Sequence, residues 1–273
     1  MPRHLDPQDA LVARLRAAGC VFAEDEAALL TSAARDRDHL DALVDERVAG
    51  RPLEQVLGWV EFCGLRLAVA PGVFVPRRRT ALLVERAAAL VPAGGVLVDL
   101  CCGCGAVAAA VTARVPDLEV HAVDVDPVAT ACAAANLLGP GTVHTGDLYA
   151  PLPGRLRGRV DVVVCNAPYV PTAAIELMPR EARDHEPRVA LDGGRDGVDV
   201  QRRVAAGSRD WLVPGGSLLV ETGEEQAPRT LRAFRDAGLV AHVVRSEELD
   251  ATVVVGTPPT ARGTASGSCA GSP

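Results

Sequence analysis

Aromatic residues make up only 3% of this 273-residue chain, with 2 Trp, 2 Tyr and 4 Phe. Surfaces that splay out and stack nucleobases draw on such side chains, so their scarcity argues against that class of partner. Surplus positive charge is missing too: 28 Lys and Arg face 35 Asp and Glu, a net charge of −7. That balance provides no broad phosphate-tracking footprint, and no direct nucleic-acid partner is expected. No apolar run approaches the roughly 18 residues of a membrane span, and "MPRHLDPQDA" lacks the basic-then-apolar layout of a signal peptide. A soluble, cytoplasmic protein with no membrane partner is the expectation. Cysteine is not scarce, at 8 residues, but the C-x-x-C within "DLCCGCG" has no second C-x-x-C or H-x-x-x-H to complete four ligands. No metal is expected, and Cys101, Cys102 and Cys104 read as small apolar filler in a tight turn.

What is present is a 48% apolar chain long enough for one α/β domain plus a small extra one. In residues 1–57, Asp6 followed by Pro7 reads as an N-cap with proline at the first helical position. Leu11, Leu15 and Ala18 recur there at helical spacing, and further helices are expected over Glu24 to Arg35 and Asp38 to Ala49. This part carries no catalytic constellation. In 58–75, alternation around a glycine in "GWVEFCGLRLAVAPGVFVP" suggests a hairpin linker. From 76 to 256 strands alternate with helices, the pattern of a doubly wound, Rossmann-like parallel sheet. The strands are expected at Val96 to Leu100, Glu119 to Asp124, Val143 to Thr145, Val160 to Cys165 and Ser217 to Glu221, with a late pair near Ala241 to Arg245 and Thr252 to Val255. Residues 257–273, rich in Gly, Ser, Pro and Thr, are expected to be a disordered tail. Trp59 and Trp211 are expected in the core.

"VLVDLCCGCGAVAAAV" reads as strand, glycine turn and helix, with Gly103 and Gly105 letting the backbone approach a ligand at the helix start. Asp124 ends the next strand, where a carboxylate can accept from both hydroxyls of a ribose. On this much, NAD remains open as the ligand. Asp99 favours a different one: an acid just before the glycines repels a pyrophosphate but welcomes an ammonium and a sulfonium. S-adenosylmethionine carries both. Asp147, after the third strand, is placed to accept from the adenine amine, with Leu148 beside the ring.

The run "VVVCNAPYVP" ends a buried strand at Asn166, at the sheet edge where open α/β folds hold ligands. An amide nitrogen is a poor nucleophile because its lone pair is delocalised. The Asn166 side-chain carbonyl and an adjacent backbone carbonyl, both accepting from one NH2 group, enrich that nitrogen and orient it. Tyr169 then packs on the flat acceptor and closes the site to water.

"NAPYVP" is similar to the Asn-Pro-Pro-Tyr motif of amino-methyltransferases, and the surrounding chain resembles the HemK/PrmC-type release factor glutamine methyltransferases. "GWVEFCGLRLAVAPGVFVPRRRTALLVER" resembles their linker and Pro-Arg-Pro-Glu-Thr-Glu segment; "EPRVALDGGRDGVDVQRRVAA" and "GSLLVETG" resemble two later blocks. The resemblance spans roughly Arg51 to Gly256. It implies a SAM-dependent methyltransferase sheet with a small N-terminal helical domain that helps dock a protein substrate. The implied activity is N5-methylation of a glutamine in a peptide chain release factor. It further implies Asn166, Ala167, Pro168 and Tyr169 as catalytic residues and Arg77, Thr80, Asn166, Pro168 and Tyr169 as substrate-binding. Asp99, Cys101, Gly103, Gly105, Asp124, Val125, Asp147, Leu148 and Asn166 are the implied cofactor set, and a monomer is expected.

The chain departs from the family at Ala167, where the first proline is lost but the backbone carbonyl is kept. It departs at Cys101, in place of a glycine, and at Arg78, Arg79 and Ala81, in place of Pro, Glu and Glu. The arginines bear on which substrate is methylated. Three readings stand beside the leading one. A nucleic-acid adenine or cytosine methyltransferase would share the Asn-x-Pro-Tyr chemistry. A NAD oxidoreductase would leave "NAPY" unexplained, and an interaction module would bind SAM without turnover. Glu186, Pro187 and Arg188 are expected to brace the loop over the site, and His185 to take a surface or packing role.

Overall fold

The computed structural model describes residues 7–137 and 141–259. The Asp6 cap and the tail from residue 260 onward lie outside the described residues. Helix α1 (Pro7–Ala17) closes where Gly19 takes φ +96° and the Cys20 N–H turns back to the Leu15 carbonyl at 3.1 Å, a left-handed ending that glycine reaches without a Cβ clash. Leu15 is buried and Leu11 packs beside it, as their spacing predicts. Ala18 falls past the helix end and is exposed. Helix α2 (Ala23–Ala33) and helix α3 (Arg37–Val48) follow; the Asp36 carboxylate caps α3 by accepting from the His39 N–H at 2.8 Å. With the short α4 (Leu53–Leu57) they enclose a core of Leu15, Ala23, Ala27, Leu30 and Val44. Inside it Arg47 forks onto Glu26, with Nε donating to Oε2 at 2.6 Å and Nη2 to Oε1 at 3.1 Å.

The expected hairpin is present as β1 (Trp59–Phe62) and β2 (Leu65–Ala68). Its two-residue loop, Cys63 and Gly64, has φ of 50° and 80°, the primed-turn geometry that matches strand twist. Trp59 is not core: it is half-buried beneath the Arg66 guanidinium, 3.9 Å above its ring, because the hairpin is covered on one side alone. Trp211 is buried as expected.

Helix α5 (Ala81–Leu90) leads into β3 (Val96–Leu100), α6 (Ala106–Thr112), β4 (Glu119–Asp124), α7 (Pro127–Asn136), β5 (Thr142–Thr145) and β6 (Val160–Cys165). A long excursion holding α8 (Arg180–His185) and α9 (Arg188–Leu191) precedes α10 (Asp199–Ser208), β7 (Leu212–Thr222), α11 (Ala227–Asp236), β8 (Val240–Ser246) and β9 (Ala251–Thr257). The seven strands form one sheet in the order β5-β4-β3-β6-β7-β9-β8, parallel except for β9, which runs antiparallel to both neighbours. The β-branched runs explain it: in β6, Val162 and Val164 pack on one face and Val163 and Cys165 on the other, so the strand needs cover on both sides. β9 extends to Thr257, paired with Val240. Thr257 therefore belongs to the sheet and not to the tail.

Candidate active site

The chain winds outward from β3 to β5, then returns to lay β6 against the other side of β3. The carboxyl ends of β3 and β6 flank that switch point, where open α/β sheets form their crevice. Leu100 and Cys165 are register partners, so the glycine turn after β3 and the Asn-Ala-Pro-Tyr loop after β6 start side by side. Between them lies a cavity of about 530 Å³, within the range of small-molecule sites.

On the glycine-turn side, Asp99 is 1% exposed and its Oδ2 accepts from the Ala108 N–H at 3.1 Å. Burial, aided by the nearby Asp124 charge, pushes its carboxyl up to about 7 against that single hydrogen bond. Asp124 accepts from the Gly103 N–H at 2.9 Å and the Asp126 N–H at 3.0 Å; burial still raises it. Gly103 has φ +55° and open space where a Cβ would stand. Cys101, with φ +56°, holds the left-handed conformation that a glycine adopts without strain. Val125, half exposed, and Leu148 line the same cavity. Gly105 does not: a Cβ there would meet the Ala133 side chain at 3.1 Å, so it serves the packing of α6 on α7. Burial raises the Cys102, Cys104, Cys132 and Cys165 thiols, Cys104 to about 12, which keeps them protonated and unreactive.

On the other side, Asn166, Ala167, Pro168 and Tyr169 all line the cavity, together with Arg77 and Thr80. The loop they form is gripped from outside. Tyr169 O accepts from Gln226 Nε2. Val170 N–H donates to Leu191 O at 3.0 Å and Val170 O accepts from Gly193 N–H at 2.8 Å. A Cβ on Gly193 would lie 2.7 Å from Tyr169 Cα and 2.8 Å from Pro168 O, so the glycines of "DGGRDG" permit backbone-to-backbone contact. Burial, reinforced by Glu221, pushes the Tyr169 hydroxyl up to about 12.

Two expected site residues already have ionic partners. Asp147 is ion-paired to Arg203 on α10. Arg77 donates from Nη2 to the Glu186 carboxylate at 2.6 Å, and Glu186, with its side chain fully buried, also accepts from the Val75 N–H at 3.3 Å. Glu186 thus braces the excursion as expected, while Arg188 faces outward to Asp192. His185 packs against Gly50 of the helical unit. Arg79 sets its guanidinium 5.7 Å from the Tyr169 ring centroid and 3.5 Å from Glu221.

Sequence reasoning overlooked Glu221, Gln226, Arg203 and Asn136. Asn136 ties the hairpin to the glycine turn by bonding both polar groups of Ala68 and donating to Cys104 O at 2.8 Å. Glu221 carried the signal that marked Asp99 and Asp124, an acid at the end of an apolar strand. Gln226 carried none. Among the described residues no group of three or more His, Cys, Asp or Glu is arranged to hold a metal ion, and no helix is long and apolar enough to cross a membrane.

The Methyltransferase small domain family model matches residues 64–182. The chain is 39% identical over 199 residues to a release factor glutamine methyltransferase of Geobacter sulfurreducens, covering 72% of this chain and 69% of that protein. It is 34% identical over 207 residues to a 4-amino-L-phenylalanine/4-methylamino-L-phenylalanine methyltransferase of Streptomyces pristinaespiralis, covering 73% and 70%. Among solved structures, a methyltransferase from Pyrococcus furiosus superposes with a TM-score of 0.54 at 15% identity over 71% of this chain and 89% of that one, which bears on the fold.

Proposed function

Since the chain belongs to the release factor glutamine methyltransferase family, we propose that it moves the methyl group of S-adenosylmethionine to the side-chain nitrogen N5 of a glutamine in a peptide chain release factor, as a cytoplasmic monomer. The observation that carries the reading is the pairing of Leu100 with Cys165, which puts a cofactor-sized crevice directly beside an amide-holding loop.

The residues present fit S-adenosylmethionine. Beside Gly103 the backbone faces open space that a ligand can approach, and Asp99 is an acid that burial holds partly protonated until a cation arrives. When bound, the cofactor supplies an electrophilic methyl group on a sulfonium. Asp124 is the acceptor for the ribose hydroxyls, Asp99 faces the cationic methionine end, and Val125 and Leu148 offer apolar flanks to the adenine. Asp147 accepts from the adenine amine while still paired to Arg203. On the acceptor side, Asn166 Oδ1 and the Ala167 carbonyl accept from the glutamine NH2 and turn its lone pair toward the methyl group, while Tyr169 excludes water. The nitrogen would gain a C–N bond as the sulfur–methyl bond breaks, the electron pair staying on sulfur to leave the neutral thioether S-adenosylhomocysteine, and one N–H proton would pass to solvent. Geometry supplies most of the acceleration, an effect worth about 7–11 kcal/mol in favourable cases.

The test is incubation of the purified protein with methyl-labelled S-adenosylmethionine and a release factor, with 4-amino-L-phenylalanine as a second acceptor. The expected result is one methyl group on a single glutamine side chain of the release factor, located by mass spectrometry. Label on the aryl amine alone, or on neither, overturns the proposal.

A further inference from the structure

Gln226 is a buried side chain behind the Asn-Ala-Pro-Tyr loop and stands outside the lining of the cavity. Its Nε2 donates to Tyr169 O. Only the nitrogen end of a glutamine amide can face a carbonyl oxygen at hydrogen-bond distance, so this contact fixes which way the amide points. Two glycines make room for it. A Cβ on Gly197 would strike both Gln226 Nε2 and Tyr169 O, and one on Gly223 would stand 2.5 Å from Gln226 Oε1.

The accepting carbonyl shares its peptide plane with the Val170 N–H, which donates to Leu191 O at 3.0 Å. Both polar groups of the Tyr169–Val170 peptide are therefore held, one by Gln226 and the other by the end of α9. The plane cannot rotate without losing both bonds. One residue earlier, the ring of Pro168 fixes its own φ. Between these two constraints the chain keeps little freedom to move the Tyr169 ring or the Ala167 carbonyl.

Gln226 itself rests on a firm base. It lies just before α11, and one turn later Thr230 Oγ1 is 3.3 Å from the Gln226 carbonyl oxygen. Thr230 also closes a buried ring of polar side chains with Gln201 and Thr222. Gln201 Nε2 on α10 donates to Thr222 Oγ1 at 3.5 Å, the Thr222 and Thr230 hydroxyl oxygens lie 3.0 Å apart, and Thr230 Oγ1 donates to Gln201 Oε1 at 2.5 Å. Each member gives a proton to the next, so the ring is satisfied in one direction and joins the end of β7 to α10 and α11.

We propose that Gln226 is a positioning residue for methyl transfer: by holding the Tyr169–Val170 peptide plane from behind, it fixes where the Tyr169 ring and the Ala167 carbonyl stand in the cavity. Gln226 acts through the loop and not by touching substrate. The proposal deepens the functional reading above and rests on it for the acceptor, but the grip on Tyr169 is measurable without turnover.

Gln226→Met removes the donor at similar length, and Gln226→Glu keeps the shape but sets a carboxylate oxygen against the Tyr169 carbonyl. Each lowers kcat by about tenfold to a hundredfold, as expected for misplaced reacting groups, with S-adenosylhomocysteine affinity unchanged. A side chain that only filled space would tolerate Gln226→Met. The chain's two tyrosines, Tyr149 and Tyr169, give a second readout: with isotope-labelled tyrosine carbonyls, Gln226→Met shifts the Tyr169 signal and leaves that of Tyr149 in place. Parent-level kcat in either variant, equal losses in kcat and in S-adenosylhomocysteine affinity, or an unmoved Tyr169 carbonyl signal in Gln226→Met overturns the proposal. A parent protein that methylates no release factor overturns the functional reading instead, and the carbonyl shift then still decides whether Gln226 holds the loop.

Discussion

Asp99 and Asp124 end adjacent strands, yet their surroundings differ: Asp99 has one backbone donor and Asp124 at least two. The carboxyl of Asp99 sits at about 7 in the folded protein against 3.8 for an ordinary aspartate. Between those values the native state binds more protons than the unfolded one, so this group's contribution to stability falls as pH rises. A cation bound against it reverses the penalty. S-adenosylhomocysteine, which keeps the ammonium, therefore binds more weakly at about pH 6 than at about pH 8. Asp99→Asn flattens that dependence and weakens binding at the higher pH; titration calorimetry at the two values decides, and an unchanged slope refutes the role. Asn166→Ala is the complementary case: turnover is abolished and cofactor affinity is nearly untouched, because the lost contact is to the acceptor, as paired turnover and binding assays would register. Ala167→Pro keeps the carbonyl and is tolerated. The strand-end acids and Asn166 were readable because polar residues closing apolar runs have few structural reasons to be there. The ion pair of Asp147 with Arg203 was not, since the two are far apart in sequence and meet only once α10 has docked.

At the scale of elements, the parallel strands announced themselves as unbroken β-branched runs, and β3, β4 and β6 occupy the expected residues. β7 was foreshortened: it starts at Leu212, five residues before Ser217, because Pro214 and Gly215 hide a strand that enters the sheet through a register shift opposite Val160 and Val162. The excursion between β6 and β7 was legible only through family resemblance, since its helices are four to six residues long and leave little periodicity. What holds it is contact between backbones, and that makes a sharp prediction for Gly193. The Cβ of an alanine there meets three backbone atoms at 2.7 to 2.8 Å, none of which is a flexible side-chain end. Gly193→Ala costs about 1–3 kcal/mol in urea unfolding and lowers turnover by shifting Pro168 and Tyr169. An alanine variant as stable and as active as the parent shows that the loop is not gripped there.

Across the whole molecule, the helical unit and the catalytic sheet meet where Arg47 reaches Glu181 at the start of α8, 3.6 Å away. The contact that counts for stability is inside the helical unit: removing one member of a buried pair strands the other, so Arg47→Met costs about 3–5 kcal/mol. Glu26→Leu combined with Arg47→Met recovers most of that, as chemical denaturation of the full chain will report; equal losses in the single and double variants would exclude an isolated buried charge as the cause. Helix positions in this unit were readable from capping and spacing, but the pairing of Glu26 with Arg47 was not, because it joins two helices through a core too small to exclude charge.

Both halves of that ion pair lie in residues 1–57, whereas Glu181, its link across the seam, keeps 46% of its side chain in solvent. A half-exposed ion pair is worth little. The helical unit therefore carries its own electrostatic closure. Exchanging the helices at the segment before β1 breaks the Arg47–Glu181 contact and leaves no charge marooned in the remaining sheet.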